Sequence, residues 1–232
     1  MKCSVAIATY NGEKYIREQL LSILNQTVPV DEIVVSDDGS NDNTLNIIKE
    51  FHDSRIVIYE ESHLGVKQNF GNAISKTTGD IIFLADQDDV WEKDKVKIIK
   101  NFFQKEKNTL IVHNASIVNE ELKDIKPYDI YSWRKSGRGF LKNIIKNSYV
   151  GCCMAFKKEL KKYILPIPDN IEMHDQWIGL INEKKLGKTL FIPDKLIKYR
   201  RHNDNTSEMK HHSLIVMIKN RTFIIKELLR RL

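Results

Sequence analysis

Two periodicities alternate along the first half of the chain. Short apolar runs of the kind buried on both faces of a sheet fall at Lys2–Ala8, Asp31–Ser36 (around Ile33-Val34-Val35), Arg55–Tyr59 and Ile81–Ala85. Between them, Lys14–Gln26 places Ile16, Leu20, Ile23 and Leu24 at helical spacing, Asn43–Phe51 does the same with Leu45, Ile48 and Phe51, and Val66–Lys76 gives a third helix. Gly79-Asp80 turns into the fourth strand, and Trp91–Gln104 is predicted as a longer helix after it. This βαβαβαβ order predicts parallel strands joined by right-handed crossovers.

The second half is less regular. Strand patterns recur at Leu110–Val118, at Tyr149–Phe156 through small residues, and in two short pieces, Thr189–Ile192 and Leu196–Arg200. Helical patterns fall at Phe140–Ile145, at Asp175–Glu183 with Trp177, Leu180 and Ile181 on one side, and at Ser213–Leu232. Asn119–Gly139 is polar, contains Pro127 and reads as irregular chain that is free to move. No repeat or linker divides the sequence. It reads as one α/β domain over residues 1–207, with a first half (1–105), a second half (106–207) and a basic amphipathic helix in 208–232.

Composition narrows the class. With 232 residues, 41% hydrophobic and 29% charged, the chain suits one substantial globular domain. No apolar run reaches the ~18 residues of a membrane span, and the N-terminus moves straight into strand-like sequence without a secretory signal pattern. Three cysteines, with Cys152 and Cys153 adjacent, form neither a disulfide framework nor a C-x-x-C metal pair, so a cytoplasmic setting is expected. The net charge of +6 is uneven. Arg134, Lys135, Arg138, Lys142 and Lys146 crowd one acid-free segment, and the tail from Lys210 carries six cations against Glu227. Without aromatic platforms or a nucleic-acid motif, this basicity points to phosphorylated substrates or anionic lipid, not to nucleic acid.

The candidate chemistry sits at strand ends. Ile81–Ala85 passes abruptly into Asp86-Gln87-Asp88-Asp89, three carboxylates that repel one another unless a cation intervenes, and hard oxygen ligands suit Mg²⁺ or Mn²⁺. A solvated turn is the plainer reading of any such cluster taken alone. The first strand ends in Thr9-Tyr10-Asn11-Gly12, which reads either as a turn or as a ring and polar groups for a nucleobase. The second ends in Ser36-Asp37-Asp38-Gly39-Ser40-Asn41-Asp42, where helix capping accounts for Ser40 to Asp42 but not for two adjacent acids. In a doubly wound sheet these three ends share one edge, so a single crevice would hold a base, a ribose and a metal diphosphate.

Together, Val5-Ala6-Ile7-Ala8-Thr9-Tyr10-Asn11, Val34-Val35-Ser36-Asp37-Asp38-Gly39-Ser40 and Asp86-Gln87-Asp88-Asp89-Val90-Trp91 resemble the family 2 glycosyltransferases of the GT-A fold, most of all bacterial rhamnosyltransferase-like members that build surface polysaccharides. The similarity spans about residues 1–207. It implies a Rossmann-like, mixed but mostly parallel sheet flanked by helices. It also implies metal-dependent, inverting transfer of a hexosyl or deoxyhexosyl unit from a UDP- or dTDP-sugar to a glycan or lipid-linked acceptor.

By the same resemblance, Thr9, Tyr10 and Asp38 hold base and ribose, with Asn11, Asp37 and Gln87 in the same clusters. Asp86 faces ribose and sugar, Asp88 binds Mn²⁺ or Mg²⁺, and Asp175 in His174-Asp175-Gln176-Trp177 is the catalytic base. Gly151–Phe156 lines the sugar pocket. Tyr199–Asn205, with Arg200, Arg201 and His202, closes over the diphosphate. Where many members have Arg-Asn in the third helix, this chain has Gln68-Asn69, which leaves Lys67 as the neighbouring cation.

Other readings compete. Asp86-x-Asp88 also fits haloacid-dehalogenase-like phosphohydrolases, but those carry the motif on the first strand and leave Asp37-Asp38 unexplained. A non-catalytic nucleotide-sugar-binding module would need Asp38 and Asp88 but not Asp175. A dinucleotide dehydrogenase lacks its G-x-G-x-x-G here. His113, His211 and His212 read as ordinary residues, Cys152 and Cys153 as small packing residues, and Trp91 and Trp177 as core or pocket wall. The terminal helix, with Leu214, Ile215, Ile218, Ile224, Ile225, Leu228 and Leu229 among cations, suits either peripheral contact with the inner membrane face or packing on protein.

Overall fold

A computed structural model describes residues 1–187, 189–202, 205 and 214–231. The expected first half is present: β1 (Cys3–Thr9), α1 (Ile16–Leu24), β2 (Glu32–Asp37), α2 (Thr44–Lys49), β3 (Ile56–Glu60), α3 (Gly65–Lys76) and β4 (Ile81–Ala85). Every residue of β4 is fully buried, which explains its unbroken apolar sequence. β1 pairs in parallel with both β2 and β4, and β2 pairs in parallel with β3. Right-handed crossovers fix the layers: α1 and α2 touch one another, while α3 returns across β1 and β2 on the way to β4.

The remaining elements are β5 (Val90–Trp91), α4 (Lys95–Lys105), β6 (Leu110–Val118), β7 (Asp124–Asp129), α5 (Ile130–Arg134), α6 (Phe140–Ile145), β8 (Met154–Lys157), α7 (Lys161–Ile164), α8 (His174–Lys185), β9 (Leu190–Arg200) and α9 (Leu214–Arg231). The sheet runs β3-β2-β1-β4-β8-β6-β9-β5, with β7 added to β6. It is mixed, because β8 lies antiparallel between β4 and β6.

Four local expectations change. Trp91 does not open a helix. Val90 and Trp91 pair with Lys198 and Ile197 of β9, and α4 begins only at Lys95. The two short late strands are one, β9, with Pro193 and Asp194 in a bulge between the partners of His113 and Asn114; proline has no N–H for the ladder. Within 149–156 only Met154 onward is strand, preceded by a 3₁₀ turn at Gly151–Cys153. The segment 119–139 is ordered as β7 and α5, and Asp129 caps α5 by accepting from the Ser132 amide at 2.9 Å.

Candidate active site

Chain order reverses at β1. β2 lies on one side of it and β4 on the other, so the carboxyl ends of β2, β1 and β4 stand side by side. Such a switch point opens a crevice beyond the strand ends.

Hydrogen bonds lock the three loops together. Gln87 grips the Tyr10 backbone from both directions, accepting from its amide at 2.9 Å and donating to its carbonyl at 3.0 Å. Gly12 makes room for that grip, since a Cβ there would lie 2.5 Å from Gln87 Oε1. Asn11, in the left-handed region at φ 48°, donates its amide to Ser40 Oγ and accepts from the Asn41 amide with its side chain. Asn69 donates to the Thr9 carbonyl at 3.1 Å, and the buried Gln19 donates to the Asp86 carbonyl at 2.6 Å.

The acids divide by task. Asp37 is fully buried and accepts from Thr9 Oγ1 at 2.6 Å and from the amide and hydroxyl of Ser40, so it closes the β2 turn and offers the crevice no surface. Thr9 is spent on the same contact and is buried too. Asp38 accepts from the Leu64 and Gly65 amides at 2.6 and 2.9 Å, satisfying orphan donors at the start of α3. Its oxygens each keep a lone pair for a further donor. The Tyr10 side chain is half-exposed at 49%.

Asp89, fully buried, and Asp86, which keeps some exposure at the rim, lie beside Cys152, their ligand atoms within 4.8 Å of one another. Burial first, then the Asp88 charge, holds both carboxyls well above the usual range. Asp89 accepts from the Arg200 amide at 3.1 Å, and its second oxygen has no protein partner among the described residues. The offsetting cation is Lys95. It is fully buried, donates to the Cys152 carbonyl at 3.1 Å, and stands 3.8 Å from the Trp91 ring centroid. Burial draws its pKa down to about 8, against the pull of Asp89 and Asp86.

Asp88 turns instead toward the end of β9. His202 Nε2 lies 2.7 Å from Asp88 Oδ2, and Asn205 Nδ2 donates to the same oxygen at 3.1 Å. The His202 ring packs 4.7 Å from Tyr15. Arg200 is 3% exposed. Its guanidinium binds Glu18, the Glu120 carbonyl and the Asp88 carbonyl (2.8 Å from Nε), and stacks over Tyr15. Arg200 thus fastens the end of β9 to the rim. Arg201 lies 5.6 Å from the Trp133 ring. Asn203 and Asp204 of this segment, and His211 and His212, lie outside the described residues.

Asp175 stands in the first turn of α8, 7% exposed. Its Oδ1 accepts from Asn147 Nδ2 at 2.9 Å and from the Gln176 amide. Burial raises its pKa to about 6, although those hydrogen bonds and the Arg134 charge act to lower it. Its own charge helps to raise Asp86, so the two carboxylates feel one another. Lys67 is drawn elsewhere: its ammonium is held by the Asp169 and Ile171 carbonyls at 2.7 and 2.6 Å, tying α3 to the approach of α8. His174 is buried and stacked on Phe70, and burial drops its pKa to about 3. Cys152 and Cys153, like Trp91 and Trp177, are buried in the core.

Sequence reasoning did not single out Asn147 or Lys95, and it read Arg134 only as part of a basic segment. None of the three lies in a strand-end cluster, so their relation to Asp175 and Asp86 emerges only from the fold.

A mixed sheet whose switch point gathers three polar strand ends, with an Asp-x-Asp after β4 and a buried acid at the start of α8, has the architecture of the GT-A glycosyltransferases. The family model for glycosyl transferase family 2 matches residues 4–164, and the chain belongs to that family. It is 31% identical over 228 residues to the dTDP-rhamnosyl transferase RfbG of Shigella flexneri, covering 86% of this chain and 72% of that protein. Among solved structures it resembles residues 1–349 of Staphylococcus aureus TarS in complex with UDP-GlcNAc, with TM-score 0.77, 21% identity, and coverage of 99% of this chain and 67% of that one. It also resembles the mannosyltransferase PcManGT of Pyrobaculum calidifontis in complex with GDP-Man and Mn²⁺, with TM-score 0.59, 21% identity, and coverage of 83% and 55%. The chain spans 66% to 82% of the length of the first curated relatives it matches.

Proposed function

We propose that the chain transfers a hexosyl or deoxyhexosyl unit from a UDP- or dTDP-linked donor to a hydroxyl of a cell-surface glycan or lipid-linked precursor, in one inverting displacement. Residues 1–105 hold the donor and residues 106–207 the acceptor. The observation that carries the reading is geometric: Asp175 is buried in the first turn of α8 and held through Oδ1 by Asn147 and the Gln176 amide, and burial raises its pKa to about 6. A near-neutral base beside the donor's Asp-x-Asp is what activation of a poor hydroxyl nucleophile requires. A binding module would have no use for such a group.

Tyr10 stacks on the base, while Asp38 accepts from a base N–H or a ribose hydroxyl. The Asn11 and Gln87 locks keep the rim in place, and Thr9 and Asp37 support it from below. Asp86 faces ribose and sugar. Asp88 and His202 fit a divalent cation by donor chemistry: a carboxylate oxygen and an imidazole nitrogen already 2.7 Å apart, a set that suits Mn²⁺ better than Mg²⁺. The trio of Asp86, Asp89 and Cys152 fits less well, because it includes a thiol and already has Lys95 as a counter-charge. When bound, the ion would offset the charge that develops on the leaving diphosphate. Arg201 adds positive charge at the end of β9. Lys67 positions the approach to α8. Asp175 takes the proton from the attacking hydroxyl, worth about 10²–10⁴ in rate.

The test is a panel of nucleotide sugars with Mn²⁺ and release of nucleoside diphosphate as readout. Turnover with one donor, lost in Asp88→Ala, supports the proposal. Release of inorganic phosphate, or a melting shift without turnover, refutes it.

A further inference from the structure

α9 turns one face inward and leaves another uncovered. Ile224 and Leu228 are buried against the domain. Ile218, Ile225 and Leu229 lie on the flank, roughly a quarter to a third of a turn round the helix, 66%, 43% and 68% exposed, and continue to Ile215 at the helix start. At 100° per residue these positions form one narrow stripe. Lys219, Lys226 and Arg230 form a second stripe along its edge. Glu227, the only acid of the helix, is paired with Arg230. Burying Ile224 and Leu228 accounts for the amphipathic sequence of one face only. It gives no reason for a second apolar stripe in water.

A neighbouring element repeats the pattern. α6 exposes Leu141 and Ile145, at 74% and 65%, among Arg138, Lys142 and Lys146. The two helices touch, and Arg221, which lies between Ile218 and Ile225 on the surface of α9, donates to the Ile145 carbonyl. Two touching helices therefore each expose apolar residues flanked by cations.

We propose that α6 and α9 together form a docking face for an anionic lipid bilayer. Apolar side chains flanked by lysine and arginine match the boundary between acyl chains and acidic headgroups. Charge also argues against a second copy of this chain as the occupant. A two-fold interface would set the cationic stripe against itself without acids to relieve it.

The face adjoins the acceptor side of the site. The Asn143 carbonyl of α6 accepts from Gln176 at 2.7 Å, and Asn147, just beyond α6, donates to Asp175. Docking would therefore bring the base to the membrane surface, where a hydroxyl of a lipid-borne acceptor is presented. This last step rests on the transferase reading above, but the docking face does not.

The test is flotation of the whole chain with vesicles of about one third phosphatidylglycerol in phosphatidylcholine, beside pure phosphatidylcholine. The wild type is expected to float with the anionic vesicles and to lose binding in high salt. The double variants Ile218→Glu/Ile225→Glu and Lys219→Glu/Lys226→Glu should each weaken binding by at least about tenfold, since each removes buried apolar area or headgroup attraction. Nucleoside diphosphate release by the variants should match the wild type, which reports that they fold. Failure of the wild type to bind anionic vesicles overturns the proposal. So does equal binding by the variants, or a dimer in light scattering that Ile218→Glu/Ile225→Glu dissociates. Vesicle binding without turnover of any nucleotide sugar would refute the transferase reading and leave the docking face standing.

Discussion

Asp175→Asn separates what the buried carboxylate does for catalysis from what it does to stability. Both hydrogen bonds to Asp175 reach Oδ1, so an asparagine carbonyl can keep them while its amide takes the place of Oδ2. The wild-type carboxyl titrates near 6 in the folded protein against an ordinary value of 3.8. A raised folded pKa means that the folded state holds its proton longer than the unfolded chain does. Stability from this group is thus full below about 3.8, falls as pH rises toward 6, and stays lost above it. At 1.36 kcal/mol per unit, the loss at pH 8 is about 3 kcal/mol, an upper figure for a real site that relaxes. Asparagine does not ionise, so the variant should be more stable than wild type by about 1–3 kcal/mol at pH 8, with the difference vanishing near pH 4. For a domain of this size that is roughly 2–10 °C in Tm at neutral pH. Transfer should fall by about 10²–10⁴ while donor affinity holds, and wild-type kcat/KM should lose about tenfold per pH unit below 6. Urea titrations at several pH values and a transfer assay check both halves. A variant equally stable at all pH values would refute the burial argument, and one with full transfer would refute the role of base.

Other perturbations test the remaining parts. Asp88→Ala should abolish Mn²⁺-dependent nucleoside diphosphate release, and His202→Ala should raise the Mn²⁺ concentration for half-maximal release by at least about tenfold, read from metal titrations. Gly12→Ala should force Gln87 off the Tyr10 backbone and raise donor KM severalfold with little change in kcat; Gln87→Ala should reproduce it, and unchanged KM in both would show that the lock is dispensable. Arg200→Ala should cost about 1–3 kcal/mol in urea unfolding, since it leaves two carbonyls without their donor while the half-exposed Glu18 returns to water, and Arg200→Lys should rescue it poorly. A diphosphate-binding arginine would instead raise KM and leave stability unchanged.

The sequence displayed the parallel half of the fold because its strands are buried on both faces and its helices on one, and each condition leaves its own period. Trp91 reads as part of the following helix because a strand of two residues, Val90–Trp91, carries no period. Their strand pairing is set by β9, more than a hundred residues away. β7 and α5 were hidden for a similar reason: polar residues alternate on an edge strand with little to bury. The same limit applies to the site. Asp37 and Asp38 are adjacent in sequence and chemically alike, yet one closes a turn with Thr9 and Ser40 while the other caps α3 at the crevice. Arg200 and His202 sit two residues apart; one is spent on Glu18 and the other meets Asp88. Residue type selected strand-end loops that the fold brings side by side. Only the direction of each side chain divides support from contact.

That division has a consequence for how the site can work. The Gln87, Asn11 and Asn69 locks are made largely to backbone, so they hold the rim whether or not a donor is present. Arg200 likewise fixes where β9 ends. The adjustable contact is the one beyond it, where His202 and Asn205 both meet a single oxygen of Asp88. A cation that takes both Asp88 and His202 as ligands must replace their direct contact, and Asn205 must then find another acceptor. On the proposed reading, donor binding would rearrange Asp88, His202 and Asn205 against a rim already held by backbone contacts. Preorganisation of this kind would limit the ordering that binding must supply.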